Sequence, residues 1–157
     1  MELPPGKGVY ALVLELNDLT QISLKKWATC VFEPGQYIYL GSALGSGGLR
    51  ARLQHHLRMS MFAHWHIDSF RRVARLSAVV YAITDERLEC VWCRLIQNDA
   101  RSFVPVAGFG ASDCRHDCGT HLIGLSPCME PEDLCRVLVS SRAGLRVVYQ
   151  PISDTEN

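Results

Sequence analysis

The stretch Gly8–Leu16, GVYALVLEL, most narrows the folds open to this chain. It mixes alternation with a continuous apolar run, the pattern of a central β-strand. Asn17–Asp18 ends it. TQISLKKWATCVF reads as one or two further strands, and Glu33-Pro34-Gly35-Gln36 as a turn with Pro34 and Gly35 at its central positions. YIYLG then follows as a strand rich in β-branched and aromatic residues. These runs predict an antiparallel meander. After a glycine loop, Leu49, Leu53, His56 and Leu57 fall on one face of a helix from about Leu49 to Met59. A second helix is expected over His64–Leu76, a strand at SAVVYAIT, and a helix at ERLECVWCRLIQ capped by Thr84 or Asp85. LIGL reads as a short strand, Ser126–Arg142 as containing a helix with Pro131 near its first turn, and GLRVVYQ as a closing strand. The expectation is one α/β (α+β) domain over residues 1–150 and a disordered tail over 151–157.

Composition agrees with one domain. The chain has 157 residues and 48% hydrophobic content, enough for one ordinary core. No apolar run approaches the roughly 18 residues of a membrane span, and MELPPGKGVYALVLEL does not read as a secretory signal. A cytoplasmic protein with no membrane partner is expected. The seven cysteines then read as buried thiols of a reducing compartment, with a metal site among them as the other option. Net charge is zero, unlike most dedicated nucleic-acid binders. Its distribution is uneven: Arg50, Arg52, Arg58, Arg71, Arg72 and Arg75 share their segment with Asp68 alone, which allows a basic patch in the middle of the chain.

The segment YLGSALGSGGLRARLQHH, Tyr39–His56, sets a glycine loop before a cluster of cations. No Walker lysine follows, so a nucleotide-cradling loop is not indicated. Its work is geometric: it carries the chain from Tyr39 to Arg52 and, one helical turn later, His56. Tyr10, near Gly8, repeats the pairing of tyrosine and glycine seen at Tyr39 and Gly41, and Glu89 lies on a later helix. Two phenols, a guanidinium, an imidazole and a carboxylate are together able to cleave a phosphodiester: a hydroxyl or imidazole relays a proton, a carboxylate holds a hard cation, and arginine neutralises developing charge. The plainer alternative is strand aromatics packing a sheet beside a solvated helix face.

With these residues in place, the chain resembles a GIY-YIG nuclease domain. More narrowly it is similar to a poorly characterised branch that pairs GVY with YxYxGSAxGxGGLxxRxxxH, HWHID and GFGxSDC. Here these are Gly8–Tyr10, Tyr37–His56, His64–Asp68 and Gly108–Cys114. The resemblance implies a small, mainly antiparallel sheet flanked by helices and one-metal hydrolysis with Mg²⁺ or Mn²⁺. It implies that Tyr10 activates or orients water and that Tyr39 lies near the nucleophile and scissile phosphate. Gly41 would let a strand end approach the site, Arg52 would contact phosphate, and His56 matches a position that carries His or Tyr in active relatives. Glu89 is the best match to the metal-binding glutamate. An alternative match through Leu95–Ile96 puts that position on Trp92, and Glu86 is a spare acid. Ser42 stands where some repair members carry lysine. Arg50, Gly41, Ser42, His64, His66, Asp68 and Asp113 are candidate substrate contacts.

Within HWHID, His64 and His66 point about 200° apart if both are helical. His64 is then a candidate to precede and cap the helix, with Trp65 and Ile67 in the core. In SDCRHDCGTH, Cys114, Cys118 and His121 have the ligand types and short spacing of a Zn²⁺ site. A fourth ligand would come from His116, Asp113, Cys128 or farther away, since Cys90 and Cys93 read as packing within a helix. The alternative is a metal-free loop anchored by Asp113.

Two functions follow as expectations. One is a metal-dependent DNA endonuclease or nicking enzyme. A repair context is implied because some members of the branch are joined to base-excision glycosylase domains. The other is a nucleic-acid-binding module without catalysis. A protein-interaction domain with a redox-sensitive cysteine loop is a third.

Overall fold

Strand β1 (Gly8–Leu16) shows why its sequence is apolar almost throughout. Tyr10, Leu12, Leu14 and Leu16 enter one core, while Val9, Ala11 and Val13 enter a second on the opposite face. A strand covered on both faces has no solvent side to mark with polar residues. In the computed structural model, which describes residues 2–24, 27–58, 66–112, 114 and 116–153, β1 lies between β4 (Gly35–Ala43) and β5 (Arg75–Ile83) and is antiparallel to both. The six-stranded sheet continues beyond β4 with β7 (Leu122–Leu125) and β6 (Ser102–Phe103), and beyond β5 with β8 (Val148–Pro151). Every pairing in it is antiparallel.

The predicted meander is corrected by this order. β2 (Thr20–Leu24) and β3 (Trp27–Phe32) form a separate hairpin, so β1 pairs directly with β4. Both edges of β1 are taken by β4 and β5, and the hairpin lays Ile22, Cys30 and Phe32 on the first core instead. That core also receives helix α1 (Gly48–Leu57) through Leu49 and Leu53, and helix α2 (His66–Arg71) through Ile67 and Phe70. The second core is closed by α3 (Glu89–Gln97) and α4 (Pro131–Val139) through Trp92, Ile96, Leu134 and Leu138. The result is one mixed α/β domain with helices on both faces of a single antiparallel sheet.

Three boundaries differ from the sequence reading. The helix expected to reach Leu76 ends at Arg71, because Arg75 and Leu76 join β5 opposite Glu15 and Leu14. Thr84 does not cap α3: its hydroxyl accepts the Glu86 N–H at 3.1 Å, which forms a turn and delays the helix to Glu89. Of the tail expected over 151–157, Pro151 completes β8 and Ile152 is buried with its N–H donating to the Ser77 carbonyl at 2.8 Å, while 154–157 lie outside the described residues. Among the described residues, no helix is long and apolar enough to cross a membrane.

Candidate functional site

The register of β1 and β4 places Tyr10 opposite Gly41. A Cβ at Gly41 would fall 2.5 Å from the Tyr10 hydroxyl oxygen, so the phenol lies across a space that only glycine leaves open. Tyr39 meets the same condition from another direction. Gly110, at φ +70°, would carry its Cβ 2.7 Å from the Tyr39 ring, and its backbone conformation also favours glycine. The two tyrosines therefore project from adjacent strands on the same side of the sheet, each against a glycine. They line a cavity of ≈ 150 Å³ together with Gly41, Ser42, Arg52, His56, Glu89, Gly110 and His121, with Leu40 and Ile67 as apolar wall.

Helix α1 supplies Arg52 and His56 from one face. His56 is buried, and its Nε2 shares a hydrogen bond of 2.9 Å with the Tyr10 hydroxyl. Burial, followed by neighbouring His55, pushes the His56 pKa down to about 3, so the imidazole is neutral over the physiological range. Burial also raises both phenols above their ordinary value, and the positive charge of Arg52 works against that rise at each. Asp68 stands 3.7 Å from His55 through its carboxylate, and its charge reaches Tyr10, Tyr39 and His56. Arg52 also borders a second recess, ≈ 250 Å³, floored by Ala43, Gly45, Gly47 and Gly48 of the glycine loop.

Glu89 opens α3 and reaches the cavity with its side chain 13% exposed. Oε1 lies 3.9 Å from Arg87, and Oε2 is buried without a hydrogen-bond partner among the described residues. Trp92, the competing position, is fully buried in the second core and donates its indole N–H to Ser141 at 3.0 Å. Glu86 is turned outward to Arg142 at 3.2 Å. Among the described residues lining the cavity, Glu89 is the acidic one.

The other candidates divide. Ser42 and Gly41 line the cavity. Arg50 does not: it is exposed and its Nε donates to the Leu3 carbonyl at 3.2 Å, because two helical positions from Arg52 is the opposite side of α1. His66 begins α2 with its ring 5.8 Å from that of Phe109. Neither His66 nor Asp68 is among the residues lining the cavity. His64 and Asp113 lie outside the described residues.

Cys90, Cys114, Cys118 and His121 converge so that one ligand atom from each lies within 4.8 Å of all the others, a group able to hold a metal ion. Cys90 to Cys114 is 3.2 Å, Cys114 to Cys118 is 3.3 Å, and His121 Nε2 to Cys118 is 3.2 Å. All seven cysteines are free. Hydrogen bonding from Cys93 foremost, and from Cys114 and Cys90, holds the Cys118 thiol well below its ordinary pKa. Cys93 is raised by the same contact and then by burial, and Cys90 by burial first. The assignment of Cys90 to helix packing alone is thereby corrected. Because α3 starts at Glu89, Cys90 sits in the first turn, where the helix end meets the loop.

Sequence reasoning missed Cys90 as a member of this four-donor group and Gly110 as the partner of Tyr39. The doubled glycine of GFG was a usable signal for the second. The first needed the true start of α3. A family model described as Domain of unknown function DUF123 matches residues 9–143. No curated protein and no solved structure matches the chain.

Proposed function

The chain belongs to the DUF123 family, and from the geometry of its cleft we propose that it hydrolyses phosphodiester bonds in DNA as a GIY-YIG-type, metal-dependent endonuclease or nicking enzyme. The observation that carries this reading is the unpartnered, buried Oε2 of Glu89 in the cavity that also takes both phenols, His56 and Arg52. A buried carboxylate oxygen without a donor is costly unless a cation satisfies it. Hard oxygen chemistry fits Mg²⁺ or Mn²⁺. Such an ion supplies Lewis-acid stabilisation of phosphate charge.

The remaining work falls to the chain. Arg52 neutralises the charge that builds on the phosphate. Tyr10 orients the attacking water, and the neutral imidazole of His56, hydrogen-bonded to Tyr10, fixes the direction of that phenol. Tyr39 forms the opposite wall beside Arg52. The glycine-floored recess gives a neighbouring nucleotide room on the far side of Arg52. In the same reading, the sulfur-rich group at Cys90, Cys114, Cys118 and His121 takes Zn²⁺, whose preference for thiolate and imidazole matches the donors. The free cysteines fit the reducing cytoplasm, where we place the protein.

The test incubates purified protein with plasmid, branched and damaged DNA, with and without Mg²⁺ or Mn²⁺. Nicking that requires the ion is expected, with losses of about 100-fold in Tyr10→Phe and Arg52→Ala. Chelators also strip zinc, so Glu89→Gln carries the magnesium arm. Cleavage indifferent to Arg52→Ala and Glu89→Gln would overturn the reading. A second reading, a nucleic-acid-binding module without catalysis, is favoured by there being a single carboxylate among the described residues lining the cavity. It predicts salt-sensitive DNA binding with no cleavage under any ion.

A further inference from the structure

We infer that the Cys90–Cys114–Cys118–His121 centre is a structural brace whose zinc ion holds two walls of the cleft in place, an inference that rests on reading this group as a zinc site. Its donors come from two segments, α3 and the connection between β6 and β7. Cys90 is in the first turn of α3, directly after Glu89. Cys114 and Cys118 lie in the connection between β6 and β7, and His121 ends that connection just before β7. Tetrahedral zinc with bonds of about 2.3 Å to sulfur sets its sulfurs roughly 3.8 Å apart. The thiols here are 3.2 and 3.3 Å apart, so the shift needed to admit the ion is about half an ångström. The same separations are far beyond a disulfide bond, near 2.05 Å.

The brace has something to hold. Between Phe103 and Leu122 the described residues form no helix or strand, a length at which an irregular connection inside a compact domain needs its own stitching. Its contacts to α3 include Gln97 donating to the Cys118 carbonyl at 2.8 Å and Arg94 donating to the His116 carbonyl. One ion would replace the 3.2 Å contact of Cys90 with Cys114 by bonds to a shared centre. The connection also carries the cleft wall. The His121 ring meets that of Tyr39 edge to face at 6.4 Å, and both Gly110 and His121 line the cavity. A Cβ at Gly110 would come within 3.3 Å of the His121 Cβ, so Gly110, His121 and Tyr39 are in mutual contact. Motion of His121 therefore reaches Tyr39, and motion of Cys90 reaches Glu89. Cys93, one turn along α3, stands outside the four-donor group. It is an outer contact of the centre.

Zinc content is measured by plasma mass spectrometry on protein purified under reducing conditions, wild type beside Cys118→Ser and Cys93→Ala. One zinc per chain is expected in wild type and Cys93→Ala, and loss in Cys118→Ser. Hydrogen exchange is then compared before and after zinc removal, with far-UV circular dichroism as the check that the sheet persists. Removal is expected to raise exchange at least tenfold in residues 104–121 and the first turn of α3, to change the tyrosine near-UV signal, and to be reversed by added zinc. Zinc-free wild-type protein overturns the zinc reading itself. One zinc per chain whose removal leaves exchange in both segments unchanged overturns the brace alone. Loss of zinc in Cys93→Ala overturns the ligand set.

Discussion

Gly41 and Gly110 each leave room for one phenol, and the cleft depends on both. Gly41→Ala sets a methyl 2.5 Å from the Tyr10 hydroxyl oxygen, on backbone paired with β1, so Tyr10 must swing out and leave His56. The expected outcome is a folded protein with an altered tyrosine near-UV spectrum and, on the proposed function, DNA cleavage reduced about as far as in Tyr10→Phe. Native-like spectra with full cleavage would show that the close approach is dispensable. His56 makes a separate, pH-dependent statement. Its folded pKa, about 3, lies below the ordinary 6.5, so the unfolded chain takes up the proton first as pH falls. Stability contributed by the neutral imidazole is complete above pH 6.5 and is lost on acidification towards pH 3, at a slope approaching 1.4 kcal/mol per pH unit, an order-of-magnitude figure. Urea unfolding between pH 7 and 5, above most carboxylate titration, should show this slope in wild type and a flatter one in His56→Gln.

Helix α1 does two jobs at once. Leu49 and Leu53 are fully buried in the first core, while Arg52 and His56 reach the cleft from the neighbouring stripe. Leu53→Ala is therefore expected to cost about 2–5 kcal/mol, read by chemical denaturation, and, on the proposed function, to lower DNA affinity as Arg52 loses its fixed placement. Behind α1, Arg71 donates to the Ala74 carbonyl at 2.9 Å and to the His56 carbonyl at 3.4 Å, tying the ends of α1 and α2 together beneath the cleft. Helix α3 is the corresponding double element on the other side. Trp92 and Ile96 anchor it in the second core, and its first turn presents Glu89 to the cavity and Cys90 to the four-donor group. A helix whose anchor and whose two functional residues are this close transmits any displacement of the one to the other.

The sheet order β6-β7-β4-β1-β5-β8 puts the last strand of the chain at one edge. Ending the chain at Val147 would remove the pairing of β8 with Ala78–Tyr81 and the buried Ile152, leaving β5 as a bare, apolar edge. Such a truncation is expected to lower the melting temperature and to associate into higher oligomers on size-exclusion chromatography. An unchanged, monodisperse profile would show β8 to be dispensable. Much of this architecture was legible in sequence. GVYALVLEL announces a strand buried on both sides, Leu49, Leu53 and His56 a helical face, and Pro131 a helix start, because each is a local pattern with a local cause. The tyrosines, Arg52 and Glu89 were also nameable in advance as residue types suited to one chemistry. Pairing partners were not legible, since a strand's alternation does not say which edge it will meet. The meander expectation failed there, when β1 closed directly on β4 and released β2 and β3 as a hairpin. Sequence by itself thus determined the elements and the reactive groups they carry. Only the tertiary structure decided that Glu89 and not Trp92 reaches the cavity, and that Cys90 joins a group 24 residues distant at Cys114. The reason is physical: short-range periodicity sets which face a side chain takes, whereas convergence of donors from separate segments depends on contacts that no local pattern encodes.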